Sequence, residues 1–223
     1  YFLARGGVKT TLFEKEEKLG GVVRNVIPGF RISDEAIDND AKLIEAMGVE
    51  IVTGREIGSV DEVKKDYDYV VLALGASTPG VLRLEKGEAM NALEFLAQFK
   101  ATDGNLDLGE NVVVIGGGNT AMDTARAAKR NKGVKKVSLV YRRTKRYMPA
   151  DAEELEMAIE DGVEFAELLS PVKLENGVLY CKKMVLGDYD ASGRRGVVET
   201  DEVVEVPADT VIAAVGEKVP GAF

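Results

Sequence analysis

Histidine is absent from this 223-residue chain, and cysteine occurs once, at Cys181. Those gaps exclude, within these residues, His-based triads, His-ligated metals, CxxC redox pairs and Cys-ligated zinc or iron–sulfur sites. Any redox chemistry here has to rest on a borrowed cofactor. No disulfide can form within the chain and no signal-peptide pattern is visible, so a reducing, cytoplasmic setting is the expectation. The chain opens at Tyr1 without a methionine and reads as a piece of something longer. Proline is scarce, with 6 residues, and no tract is of low complexity, which argues against extensive disorder. Long apolar runs are missing too: residues 70–74 and 112–115 fall far short of the roughly 20 residues that a membrane helix needs.

What is present is a globular composition, 45% hydrophobic and 30% charged, long enough for one large domain or two small ones. The formal charge is −9, yet its distribution is uneven. Residues 124–150 hold Arg126, Lys129, Arg130, Lys132, Lys135, Lys136, Arg142, Arg143, Lys145 and Arg146 and no acidic residue. One basic island in an acidic chain points to a localised anion site more than to a nucleic-acid surface.

Along the chain, residues 1–5 read as a helix tail closed by Gly6 and Gly7, followed by a β-branched strand over 8–13 that ends at Glu14. Residues 15–21 read as a loop and the stretch to Phe30 as irregular. A helix starts at Ser33 or Asp34, with Ile37, Ala41, Ile44 and Met47 on one face and Gly48 as its stop. A short strand is expected over 49–53. The run YDYVVLAL, residues 67–74, has the pattern of a fully buried strand closed by Gly75, and residues 76–87 look like a crossing between two units. A helix over 91–99 precedes the cleanest unit: strand 111–115, glycines 116–118, helix 120–131 and strand 137–141. An acidic helix over 151–161 follows, with Leu155, Ala158 and Ile159 as its buried stripe. Strands over 163–169, 178–186 and 197–206, with turns at 175–177 and 190–193, read as an antiparallel meander. A second buried strand, 209–215, ends at Gly216.

The chemistry centres on VVVIGGGNTA, residues 112–121, a G-x-G-x-x-A pattern that follows a strand and opens a helix. Gly116 permits the tight turn, Gly118 lets a pyrophosphate approach the backbone, Ala121 allows close helix packing, and the helix N-terminus stabilises the anion. The second strand of such a unit normally ends in Asp or Glu for a ribose 2′-hydroxyl, whereas Tyr141 is followed by Arg142 and Arg143. Guanidinium groups bind a 2′-phosphate that a carboxylate would repel, so the pattern favours NADP over NAD. The alternative is that residues 142–146 are only a solvated charge run.

Residues 116–123 (GGGNTAMD), Tyr141-Arg142-Arg143 and Met148-Pro149 resemble the pyridine-nucleotide domain of the glutamate synthase small-subunit family of FAD-dependent NADPH oxidoreductases. Residues 141–151 (YRRTKRYMPAD) are most similar to its selenate reductase branch. The family more often carries Asp at the position of Asn119. The resemblance implies an α/β fold of two nested Rossmann-like nucleotide-binding domains, with parallel sheets and an antiparallel β-meander. Residues 1–78 would be the first segment of a partial FAD-binding domain, 79–207 an NADP-binding domain, and 208–223 the return segment of the FAD-binding domain. For NADP it implies Gly116, Gly117, Gly118, Asn119, Thr120, Arg142, Arg143 and Arg146, with Gly216 near the nicotinamide. For FAD it implies Glu14 at the adenosine ribose, Gly20 and Gly21 beside the cofactor, and Gly75 at a strand end. Glu14 can equally be a solvated residue of its charge run, and Gly75 and Gly216 plain strand terminators. The FAD phosphate loop is expected to lie before Tyr1 and further FAD contacts after Phe223, so this chain alone is expected to hold FAD weakly or not at all and to be inactive.

No catalytic acid or base and no metal site is assigned. Cys181 reads as a buried structural residue, Asp123 as part of a cap on the glycine-loop helix, and the carboxylates over 151–156 as the acidic start of a helix. The function expected by resemblance is hydride transfer from NADPH to FAD, with electrons passed to iron–sulfur segments or a partner subunit. The competing readings are a nucleotide-binding regulatory or interaction module without turnover, and nucleic-acid binding through the basic island, which the net acidity opposes.

Overall fold

The computed structural model describes residues 1–76, 78–191 and 193–219. They fall into two compact units: one runs over Tyr1–Thr78 and resumes at Lys218, the other over Pro79–Glu217. The last four residues, 220–223, of the anticipated return segment, Ser77 of the crossing and Ser192 of the anticipated turn lie outside the described residues.

The first unit contains α1 (Phe2–Arg5), β1 (Thr11–Phe13), α2 (Gly21–Asn25), α3 (Asp34–Ala46), β2 (Glu50–Val52) and α4 (Val60–Val63). β1 and β2 pair in parallel, with Leu12 opposite Ile51. α3 starts where its cap dictates: the Ser33 hydroxyl oxygen accepts from the Ala36 N–H at 3.2 Å, and Asp34 and Glu35 occupy the positive end of the helix. Gly48, at φ 84°, stops it. α2 forms in the stretch read as irregular, because Arg24 ties it down. The buried Arg24 guanidinium donates to the Leu19 carbonyl at 2.5 Å and to Asp38 of α3 at 2.5 Å. The run 67–74 is not the buried strand its composition describes. It takes no strand pairing among the described residues, and Tyr69, Val71 and Leu72 are 89%, 72% and 52% exposed. An apolar strand pattern shows what a segment can bury; pairing also requires a neighbouring strand, and the sheet of this unit consists of β1 and β2.

The chain passes between units at β3 (Thr78–Pro79). The second unit continues with β4 (Met90–Asn91), α5 (Ala92–Thr102), β5 (Asn111–Gly116), α6 (Asn119–Arg130), β6 (Lys136–Tyr141), α7 (Ala152–Glu160), β7 (Glu164–Glu167), β8 (Leu169–Glu175), β9 (Val178–Tyr189), β10 (Arg195–Pro207) and β11 (Thr210–Ala214). β12 (Glu217–Lys218) leads back to the first unit. Strands β4, β11, β5, β6 and β7 lie in that order in one parallel sheet. β8, β9 and β10 form an antiparallel meander. Apolar residues fill most of β5 and β6, β-branched in β5, because both faces of those strands are covered. Phe95 of α5, Met122 and Ala125 of α6 and Leu155 of α7 are buried, as are Val112, Val114 and Leu139. On the other face Val113, Ile115, Val140 and Val211 pack with Leu169, Leu179, Cys181 and Val206 of the meander. A fully buried Val, Leu or Phe contributes roughly 1.5–3 kcal/mol. The apolar core therefore resides in the second unit, since among the described residues of the first only Ile37, Val49 and Val63 are buried hydrophobics.

Three expectations change here. The strand foreseen over 163–169 is two strands: β7 pairs with β6 in the parallel sheet, and β8 pairs with β9 in the meander. The break is Leu168, held at φ 59° without a glycine or proline to announce it. Strand 210–214 fills the slot between β4 and β5, so the first unit resumes at Lys218 and not near residue 208. Ile159 is 45% exposed, leaving Leu155 and Ala158 as the buried stripe of α7.

Candidate nucleotide-binding site

Because β5 and β6 run in parallel and in register, their carboxyl ends bring the glycine loop and the arginine loop to the same edge of the sheet. Gly116 sits at φ 156°, and a Cβ there would meet the Ala214 carbonyl oxygen at 2.4 Å and the Ala121 Cβ at 2.9 Å. Only glycine turns the chain there while α6 packs so closely. At Gly117 a Cβ would strike the Tyr141 ring at 2.4 Å. At Gly118 it would meet nothing within 4 Å, so that side of the loop is open. α6 begins immediately beyond, with Gly118 at its N-cap, no side-chain cap and no acid in its first turn. Its leading N–H groups and positive dipole end are thus left for an anion. Asp123 lies buried as the fifth residue of α6, two residues past the third position where a capping-box acid would reach the N-cap.

Much of the basic island turns out to be internally paired. Arg126 and Arg130 both bind Asp161 just past α7, at 2.7 and 2.6 Å. The Arg130 bonds, joined by those of Arg126, hold the Asp161 carboxyl below the usual carboxylate range against the opposing effect of burial. Lys135 pairs with Glu110 and Lys136 with Glu164, while Lys129 donates to the Lys135 carbonyl. The loop after β6 is different: Arg142, Lys145 and Arg146 are exposed and form no ion pair among the described residues. Arg143 is half-buried, and its Nε donates to the Arg195 carbonyl of β10 at 3.2 Å. The anion-seeking set narrows to residues 142–146, with Arg143 partly engaged by the meander.

A strap over 148–151 borders the loop. The Tyr141 hydroxyl donates to the Tyr147 carbonyl at 2.9 Å, the Ala150 N–H donates to the Gly117 carbonyl at 3.0 Å, and Asn119 pairs with Asp151. A pocket of about 290 Å³ lies beside the strap, lined by Lys145, Arg146, Met148, Ala150, Asp151, Ala152 and Leu155. Tyr141 and the strap border the candidate site and were not picked out by motif reading. The aromatic residue at the end of β6 was visible, but a ring packed on Gly117 leaves no spacing signal. These residues fit a phosphorylated dinucleotide: an uncapped helix, an open glycine, and exposed arginines where a carboxylate would otherwise read the ribose.

Of the other candidates, Gly216 lies two residues beyond Ala214 of β11, which pairs with Gly116, whereas Glu14, Gly20, Gly21 and Gly75 belong to the first unit. Gly216, at φ 99°, has open space around its missing Cβ, and its carbonyl accepts from the Gly80 N–H at 2.7 Å. Glu14 follows β1, half-exposed, with Oε1 accepting from the Glu16 N–H at 3.1 Å. Gly20 has a structural reason of its own, since a Cβ there would meet the Arg24 Cβ at 2.8 Å. Gly21 faces open space, and Gly75 sits in the exposed run rather than at a strand end. Among the described residues no hydrogen bond joins Glu14, Gly20, Gly21 and Gly75 to one another. Also among the described residues, no cluster of His, Cys, Asp and Glu is arranged to hold a metal, and no helix is long and apolar enough to cross a membrane. Cys181 is buried in the core between sheet and meander, and desolvation pushes its thiol up to about 12.

A sheet of this topology, covered by helices and a meander and carrying a glycine turn, is the fold of FAD- and NAD(P)-binding oxidoreductases. The solved structure of Mycobacterium tuberculosis FprA in complex with NADPH has that fold, with a TM-score of 0.77, 20% identity, and 96% of this chain and 65% of that chain covered. The chain belongs to the pyridine nucleotide-disulphide oxidoreductase family, whose pattern matches residues 1–220. It is similar to YgfK of Escherichia coli O157:H7, 44% identical over 98% of this chain and 22% of the relative. It is also similar to the glutamate synthase [NADPH] small chain of Escherichia coli K12, 36% identical over 96% of this chain and 50% of the relative. The chain therefore spans between about a fifth and a half of these relatives.

Proposed function

We propose that the second unit is an NADPH-reading domain and that the chain serves a flavin-dependent oxidoreductase. One observation carries the reading: Arg142 and Arg146 stand exposed and, among the described residues, form no ion pair where β6 ends, beside a glycine turn and an uncapped helix. On this reading the backbone N–H groups of residues 117–120 hold the pyrophosphate, and Gly118 supplies the room for it. Arg142 and Arg146 hold the 2′-phosphate with charge-assisted bonds, and Arg143 stiffens their loop through the Arg195 carbonyl. Tyr141 fixes the loop from beneath. When bound, the nicotinamide supplies a hydride that a flavin accepts, and the part of this chain is orientation and electrostatics. No residue here needs to move a proton for that transfer, which agrees with the lack of histidine.

The finer readings rest on weaker supports. The first unit is read as part of the FAD-binding half, with Glu14, Gly20, Gly21 and Gly75 as its contacts, and Gly216 is read as lying near the nicotinamide. The bare apolar run 67–74 supports an FAD half that this chain supplies only in part, and hence weak or absent FAD binding. Onward transfer to iron–sulfur segments or a partner subunit is supported by the relative named as a small chain and by the single cysteine of this one. Placement near the selenate reductase branch rests on residues 141–151 alone, and a cytoplasmic setting on composition. Calorimetric titration with NADPH and NADH tests the core reading. NADPH preference that disappears in Arg142→Ala/Arg146→Ala supports it; equal affinity for both nucleotides, or a preference untouched by the substitutions, sinks it.

A further inference from the structure

Asn119 was expected among the cofactor contacts, yet its side chain is already committed. Its Nδ2 donates to the Asp151 carboxylate at 3.0 Å, and its Oδ1 accepts the Asp151 backbone N–H at 3.0 Å. This two-way pairing also fixes which end of the amide is nitrogen, since only that orientation satisfies both bonds. Asp151 occupies the N-cap of α7 but makes no side-chain bond to its own helix, so the carboxylate oxygen that would ordinarily cap α7 is spent on the first residue of α6. The strap 148–151 is thereby held at its far end, at Ala150 and Asp151, by Gly117 and Asn119, while Tyr147, just before it, is held by the Tyr141 hydroxyl. One flank of the strap lies against the glycine loop, and the other lines the pocket that Arg146 borders.

We propose that Asn119 and Asp151 form a latch that sets the strap for nucleotide binding, making Asn119 a positioning residue rather than a phosphate ligand. The inference rests on the reading of residues 116–120 as the nucleotide site. Opening the latch lets the strap leave Gly117, and the apparent dissociation constant rises as the binding-competent fraction falls. An aspartate at 119 would set a second carboxylate against that of Asp151, with no amide hydrogen to donate, and would break one bond. Moving the charge, as in the exchange Asn119→Asp/Asp151→Asn, remakes both: the new carboxylate accepts from the residue-151 N–H and from its amide. The exchange leaves the net charge unchanged but brings the negative charge to the first turn of α6, so it separates a latch from a charge effect.

The test is calorimetric NADPH titration of the 223-residue chain and three variants, Asn119→Ala, Asn119→Asp and the exchange, with amide hydrogen exchange at Ala150 in the nucleotide-free chains. Asn119 and Asp151 are exposed, so all three variants are expected to fold. The single variants should weaken NADPH about tenfold and accelerate Ala150 exchange, while the exchange variant should bind within about threefold of the parent and protect Ala150 again. An exchange variant as weak as Asn119→Asp overturns the latch in favour of charge. Faster Ala150 exchange with unchanged NADPH affinity reduces the pair to a structural tie and overturns the proposal too. A parent chain that binds no NADPH, with Ala150 still protected through Asn119, overturns the nucleotide reading and the positioning role together, which the exchange data alone distinguish from failure of the latch.

Discussion

Alanine at position 117 and alanine at position 118 differ by one residue and should have opposite effects. At Gly117 the new methyl would lie 2.4, 2.7 and 2.9 Å from Cε2, Cδ2 and Cζ of Tyr141. Tyr141 is 8% exposed and its hydroxyl is held by the Tyr147 carbonyl at 2.9 Å, so the ring cannot swing into solvent. Reaching ordinary contact distance requires a displacement of about 1 Å, and overpacking of that kind costs about 1–3 kcal/mol. For a chain of this size that corresponds to a fall in Tm of roughly 2–12 °C. At Gly118 the methyl meets nothing within 4 Å and the backbone, at φ −98°, suits any residue. Stability should change by less than about 0.5 kcal/mol, with a small gain from a stiffer unfolded chain. On the proposed reading NADPH affinity should nevertheless fall, since the methyl would occupy the open space assigned there to the pyrophosphate. Thermal unfolding and calorimetry on both variants provide the check. Equal destabilisation by the two, or a Gly118→Ala chain that binds NADPH undiminished, would refute the assignment of one glycine to packing and the other to the ligand.

Other consequences are as readily measured. Asp161→Ala removes the bonds from Arg126 and Arg130 that tie α6 to the end of α7, and should cost about 1–3 kcal/mol in urea unfolding; an unchanged midpoint would show the pairing to be idle. Glu175, between Lys86 and Lys173, is lowered to about 2, chiefly by the Lys86 bond. Its contribution to stability is therefore complete above the unfolded-state value of about 4.3 and is lost as pH falls through about 2. The difference between the parent and Glu175→Gln should persist at pH 6 and vanish near pH 2; a difference independent of pH would contradict the ion-pair account. Cys181, buried and with its thiol raised to about 12, should resist thiol reagents until urea unfolds the chain, and rapid stoichiometric labelling of the native protein would contradict its burial.

The unit from 111 to 141 was legible because three independent signals agree there: β-branched strands, glycines at the turn, and a helix whose small residues suit close packing. Ser33 was legible for a similarly local reason, since a cap acts within three residues of itself. What depended on distant partners was not. Arg126 and Arg130 find Asp161 some thirty residues away, so the basic island looked larger than the anion-seeking loop it contains. Leu168 adopts φ 59° under tertiary pressure, and no turn residue marks the change from parallel sheet to meander. The run 67–74 shows the converse error, in which composition promised burial that no neighbouring strand among the described residues supplies. At the proposed site, the glycines and Arg142 are suggested by spacing alone, whereas the packing of Tyr141, the strap and the engagement of Asn119 come from the three-dimensional structure.

The most direct test of an NADP site at the ends of β5 and β6 is to titrate the ¹⁵N-labelled chain with 2′,5′-ADP, using 5′-AMP as the control. Saturable shifts in the backbone amides of Gly117, Gly118 and Asn119 and in the side chains of Arg142 and Arg146, larger for 2′,5′-ADP than for 5′-AMP, are the predicted result. Shifts confined to the meander or the first unit, or indistinguishable responses to the two ligands, would contradict it.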